Sequence, residues 1–138
     1  NDTADANSLD DYEEGKTTGA TITGGSGGSM TLNYGGVASK YVKIGDMVFV
    51  QIYFRPSTNT ATGSHFTINN VLPFVPPSGN STDPYYVIST TISFLNGGPT
   101  MHANAAGGTA NITVWYNPAS VSAGQEVALS VVYRTTHS

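Results

Sequence analysis

Between residues 47 and 54 the chain reads Met47-Val48-Phe49-Val50-Gln51-Ile52-Tyr53-Phe54, an apolar run with a period of two. A strand sends successive side chains to opposite faces. Val48, Val50, Ile52 and Phe54 therefore share one face, and Met47, Phe49, Gln51 and Tyr53 share the other. Both faces are apolar, so the strand needs cover on both sides, from a second layer or from another subunit. Lys40-Tyr41-Val42-Lys43-Ile44 precedes it and is joined to it through Gly45-Asp46. A two-residue loop with glycine first suits a type II′ hairpin.

The same period recurs along the chain. Met30–Tyr34, His65–Asn69, Tyr86–Leu95, Thr109–Tyr116 and Glu126–Thr135 read as further strands. Turn clusters separate them at Ser57–Ser64, Val75–Pro84, Asn96–Gly98, Ala105–Gly108 and Asn117–Gln125. Proline gives a sheet no donor, which places Pro76, Pro77 and Pro118 outside central strands. With 18 Thr, 14 Ser and 16 Gly in 138 residues, the composition favours strands and turns over helices. The expected fold is all-β: an antiparallel sandwich, jelly-roll-like, of seven to nine short strands. Two parts are expected, a lead-in over residues 1–28 and a β-sandwich over 29–138. The lead-in is acidic and then glycine-rich (Gly24–Gly28), and its composition predicts a poorly ordered or partner-dependent arm whose glycine run is a linker or a loop tip. The chain starts Asn1-Asp2 without a hydrophobic leader and reads as a piece of something longer.

Charge narrows the function classes. Net charge is −4, yet six of nine acids lie within the first fourteen residues, so the body is slightly basic. Lys16, Lys40, Lys43, Arg55 and Arg134 are scattered, which is no nucleic-acid footprint. No apolar run approaches the roughly 18 residues of a membrane helix. The absence of cysteine excludes disulfides, thiol catalysis and cysteine-based zinc sites. Beyond the lead-in the carboxylates are Asp46, Asp83 and Glu126. Asp46 belongs to a turn, and only Asp83 with Glu126 could serve as the carboxylate pair of a glycosidase. His65, His102 and His137 show no metal-ligand spacing, although one histidine per chain on a threefold axis could share an ion. No nucleophile elbow or phosphate loop occurs. The expectation is a non-enzymatic binding protein without cofactor or metal.

Saccharides are recognised by aromatic faces against C–H surfaces and by amides and hydroxyls against sugar hydroxyls. Tyr34, Tyr85, Tyr86, Trp115 and Tyr116 are aromatics at strand ends or in loops. Trp115, the single tryptophan, is opposite in phase to Ile112, Val114 and Tyr116, so it lies on an outer face or at a subunit contact. Asn96–Gly108, with Asn96, His102 and Asn104 among glycines, reads as a recognition loop. The candidate receptor or glycan contacts are Tyr85, Tyr86, His102 and Trp115.

Three stretches carry a resemblance. They are Leu9-Asp10-Asp11-Tyr12-Glu13-Glu14-Gly15, the Tyr41-Val42-Lys43-Ile44-Gly45-Asp46 hairpin, and Leu72-Pro73-Phe74. In this order and spacing the chain resembles the C-terminal domains of bacteriophage tail fibres and related virion fibres. In that family the lead-in is commonly followed by Thr-Trp-Thr-Pro, where this chain has Lys16-Thr17-Thr18-Gly19. The resemblance implies a homotrimeric tip at the distal end of a fibre on the virion, outside the cell, joined to the rest of the fibre. It implies binding to a host-surface receptor, a saccharide such as lipopolysaccharide, capsule or teichoic acid, with neither nucleic acid nor membrane insertion. Met47, Phe49 and Tyr53 would then face the trimer interface, unless one protomer buries both faces of their strand. Other readings are a trimerisation or decoration module without a receptor, a carbohydrate-binding module of a secreted enzyme, and a depolymerase.

Overall fold

The computed structural model describes residues 12–77, 87–95, 100–106 and 108–135, with residues 87–93, 100 and 106 described by backbone alone. In chain order the strands are β1 (Tyr12–Lys16), β2 (Thr21–Gly24), β3 (Ser29–Leu32), β4 (Ala38–Ile44), β5 (Met47–Phe54), β6 (Pro56–Asn59), β7 (Phe66–Asn69), β8 (Val87–Phe94), β9 (Thr100–Ala106), β10 (Ile112–Trp115) and β11 (Val127–Arg134). All pairings are antiparallel, in the order β1-β4-β5-β11-β8-β9-β10-β7-β2-β3-β6.

This ladder folds into two layers, a β-sandwich. The chain leaves β5 at Phe54 and begins β6 at Pro56, although β5 lies third from one end of the ladder and β6 closes the other. β8 pairs with β11 over three positions and with β9 over seven, so it belongs chiefly to the second layer. Across the interior the rings of Phe54 and Phe66 meet edge to face at 6.4 Å.

The core follows the alternation. Val48, Val50, Ile52 and Phe54 point inward from β5, and Val127, Leu129, Val131 and Tyr133 from β11. They meet Ile22, Phe66, Ile68, Ile112 and Val114 from the other layer. At the β4–β5 turn Gly45 takes φ +61° beside Asp46, and Ile44 pairs with Met47, as the type II′ expectation requires.

Four strands lie beyond the expected set: β1, β2, β6 and β9. The arm expected over residues 1–28 is instead strand over Tyr12–Lys16 and Thr21–Gly24. β1 contributes main-chain bonds to β4 with little side-chain burial, and β2 is held by one buried residue, Ile22, 1% exposed. Gly24–Gly28 forms the loop tip of the β2–β3 hairpin, with Ser26 N donating to Thr62 O at 2.9 Å. β6 opens the cluster assigned to turns, and its Pro56 is tolerated because β6 is an edge strand. The loop expected over Asn96–Gly108 is strand from Thr100 to Ala106.

The three resembling stretches converge in space. Phe74 lies edge-on to Tyr41 at 5.4 Å, with Lys43 Nζ 5.6 Å from its ring centre. Tyr41 hydroxyl donates to Glu13 at 2.9 Å. Tyr133 hydroxyl donates to Phe74 O at 2.8 Å and accepts from Phe74 N at 3.2 Å. Leu72 enters the core, 3% exposed. Arg134 pairs with the turn residue Asp46 at 2.8 Å. These residues link β1, β4, β11 and the Leu72-Pro73-Phe74 segment, a structural role in the sandwich.

Candidate functional site

Trp115 projects from the outer face of the second layer. Ile112 and Val114 enter the core, and the next outward position leaves Trp115 49% exposed. The ladder sets its neighbours. Trp115 pairs with His102 on β9, and on the other side Val114 pairs with Phe66, which puts His65 opposite Trp115. The rings of His65 and Trp115 lie 4.9 Å apart, tilted by 46°. The next strand, β2, turns away at Gly25, whose N–H donates to His65 O at 2.8 Å. A Cβ on Gly25 would stand 2.5 Å from the His65 ring, so glycine is what lets that ring lie flat against the turn. The outcome is a row, His102–Trp115–His65, across three strands.

The row beside it is polar. Asn104, Thr113, Thr67 and Thr23 follow one another across β9, β10, β7 and β2. Beyond them Asn69 Nδ2 reaches Thr23 Oγ1 at 3.1 Å and Thr21 Oγ1 at 3.3 Å. Among the described residues this face bears no lysine, arginine, aspartate or glutamate. It offers an aromatic surface, two imidazoles, and a field of hydroxyls and amides.

His102 thus stands on a strand rather than a loop. Its inward neighbours Met101, Ala103 and Ala105 are buried, and two of the three are too small to announce a strand by hydrophobicity. Tyr85 and Tyr86 lie outside the described residues, as do Asp83 and His137. Tyr116 packs half-buried on Phe94, with ring centres 6.0 Å apart. Tyr34 is exposed at φ +60°, its hydroxyl accepting from Arg55 Nη1 at 3.2 Å. Glu126 accepts from Tyr53 hydroxyl at 3.0 Å. His65, Thr67 and Thr113 fall in expected strands, Asn104 was expected in a loop, and alternation does not show which strands lie side by side. No group of three His, Cys, Asp or Glu among the described residues could hold a metal ion. Among the described residues no helix is long and apolar enough to cross a membrane.

The outer face of the first layer is different. Val42, Phe49 and Val132 form a row across β4, β5 and β11, and Tyr12, Ile44, Met47 and Arg134 form another from β1 to β11. Phe49 is 43% exposed and Val132 52%. A groove of about 520 Å³ runs past Val42, Phe49 and Val132, with Lys16 and Lys40 on its walls. It continues into a depression of about 620 Å³ that reaches Tyr53, Ala38 and Ala128. Among the described residues, cover over both faces of β5 is therefore only half supplied.

No protein-family model matches the chain, and no curated protein matches it. Among solved structures, the chain is similar to the reovirus attachment protein sigma1, whose crystal structure is in complex with alpha-2,3-sialyllactose. Identity is 16% and the TM-score 0.44, over 91% of this chain and 67% of that one. The fold assignment itself stands on the strand pairing described above.

Proposed function

We propose that this chain is the tip of a virion fibre, at the fibre's distal end, which binds a saccharide on the host-cell surface during bacteriophage adsorption and catalyses no reaction. The observation that carries this reading is the exposed His102–Trp115–His65 row beside a field of hydroxyls and amides. Trp115 offers a flat surface to the C–H face of a sugar ring. Thr23, Thr67, Thr113 and Asn104 offer donors and acceptors to its hydroxyls. The resemblance of the lead-in, hairpin and Leu72-Pro73-Phe74 to phage fibre domains supplies the setting. Residues 29–138 form most of the tip, and the lead-in comes from the shaft.

The same reading takes the chain as a homotrimer, with Met47, Phe49 and their neighbours covered by other copies. An apolar row such as Val42–Phe49–Val132 favours burial by association. Three shallow sites on one tip then reinforce one another through effective concentration.

The test is staining of bacterial cells with the labelled protein before and after periodate, which cleaves vicinal diols of sugars. Staining should vanish with periodate and fall at least about tenfold, about 1.4 kcal/mol, in Trp115→Ala. Staining that survives both treatments would discard the reading. A carbohydrate-binding module would use the same row as a monomer, and a solution mass of one chain would favour it.

A further inference from the structure

We propose that His65 and His102 set the charge class of the ligand: the face takes uncharged saccharides at neutral pH and gains anionic ones in weak acid. This deepens the saccharide-binding reading above and rests on it.

Uncharged groups surround the two imidazoles among the described residues. His65 is bordered by Trp115 on β10, by Gly25 in the β2–β3 turn, and by Ser64, whose hydroxyl lies 3.4 Å from His65 Nδ1. His102 has Trp115 beside it on β10 and Thr91 as its register partner on β8. The remaining outward positions are Thr21, Thr23, Thr67, Asn69, Asn104 and Thr113. None is charged. The carboxylates and cations with described positions in the sheets lie on the other layer or at its edges, as Glu13, Glu14, Lys16, Lys40, Lys43, Arg134 and Glu126 do. Arg55 leaves β5 on the same side of the molecule as Tyr34.

An anionic sugar that settles on a neutral, partly dehydrating surface loses hydration without gaining a counter-charge. A neutral sugar loses less and keeps its hydroxyl bonds. Imidazole is the one ordinary side chain that changes charge between about pH 5 and 8. When both rings carry a proton, two positive charges flank Trp115, roughly 10 Å apart by two strand spacings. Among the described residues no carboxylate on the face neutralises them. A carboxylate, sulfate or phosphate on the sugar would then meet a charge-assisted donor on either side of the stacking surface. Binding of the anion and protonation reinforce each other by linkage.

Trp115 makes the proposal directly readable, because it is the only tryptophan in the chain. The protein is applied to a microarray of bacterial-surface saccharides holding neutral chains and chains that bear uronate, sialate or phosphate, at about pH 7.5 and about pH 5.5. Tryptophan fluorescence is titrated over the same interval without ligand. Neutral chains should bind at both pH values within about twofold, and anionic chains should gain at least about tenfold at the lower one. The double variant His65→Gln, His102→Gln keeps a polar amide at each place. It should lose the acid gain, read as the anionic-to-neutral binding ratio at the lower pH over that at the higher, which falls from at least about ten to about one. The fluorescence should titrate in the wild type and stay flat in the variant. Anionic chains bound as well as neutral ones at about pH 7.5, or an acid gain that survives in the variant, would overturn the inference and leave the saccharide reading standing. Binding of neither class at either pH would remove the saccharide reading and the inference with it.

Discussion

At the scale of single residues, small groups decide the geometry of the aromatic row. Gly25 is the clearest case, because a methyl group there would collide with the His65 ring. Its backbone does not require glycine, so Gly25→Ala should leave stability within about 1 kcal/mol while moving the imidazole off Trp115. The check is a denaturant melt beside a fluorescence titration, in which the signal change of Trp115 with pH should shrink. Tyr133 illustrates the opposite kind of residue, a hydroxyl sealed into the core. Burial pushes its pKa far up, the bond accepted from Phe74 N–H only partly offsetting that. The folded state thus holds the phenolic proton more tightly than the unfolded chain. Stability from this source is complete below the ordinary tyrosine value of about 10 and drains away as pH rises above it. Tyr41, whose pKa is raised by burial and by Glu13, acts in the same direction. Urea midpoints should therefore fall steeply above about pH 10. Tyr133→Phe should start about 1 kcal/mol lower, having lost its bonds to Phe74, and fall less steeply. An equally steep alkaline fall in the variant would refute this account of Tyr133.

At the scale of elements, legibility followed the size of the inward side chains. The β4–β5 hairpin was readable because its inward residues are large and its turn carries glycine in the required place. β10 and β11 were readable for the same reason. β9 was not, because Ala103 and Ala105 are its inward residues, 0% and 3% exposed. A strand with small inward side chains lets the opposite layer approach closely but leaves no hydrophobic trace in the sequence. β1 and β6 were hidden because edge strands are held mostly by main-chain bonds, which every residue type supplies, and β2 because Ile22 is its single buried residue. Trp115 was placed outward by phase alone. Its partners His65 and His102 were not foreseen together, since that needs the strand order. Ala103 also ties fold to site, because it neighbours His102. Ala103→Leu should overfill the core, cost about 1–3 kcal/mol, and weaken saccharide binding by displacing β9. Thermal melts and the microarray together test it. A variant with unchanged stability would mean that the layers are less tightly packed at β9 than the burial indicates.

At the scale of the molecule, the two outer faces differ in chemistry. Among the described residues one is aromatic and polar without fixed charge. The other is apolar with Glu14, Lys16 and Lys40 along its groove. If the latter is the assembly surface, light scattering should give about three times the 14.4 kDa chain mass. Phe49→Asp should bring it down to one chain without unfolding, because Phe49 contributes little to the monomer core at 43% exposure. A variant that remains trimeric would move the interface elsewhere. The row Tyr12–Ile44–Met47–Arg134 has a separate implication. It sets the start of β1 and the end of β11 on one edge of one layer, three strand spacings or roughly 14 Å apart. A linker of about five residues spans that distance. Joined there, a chain trimmed to residues 12–135 becomes a ring, and a ring has fewer unfolded conformations to lose, so cyclisation should raise the melting temperature while leaving the His102–Trp115–His65 row untouched.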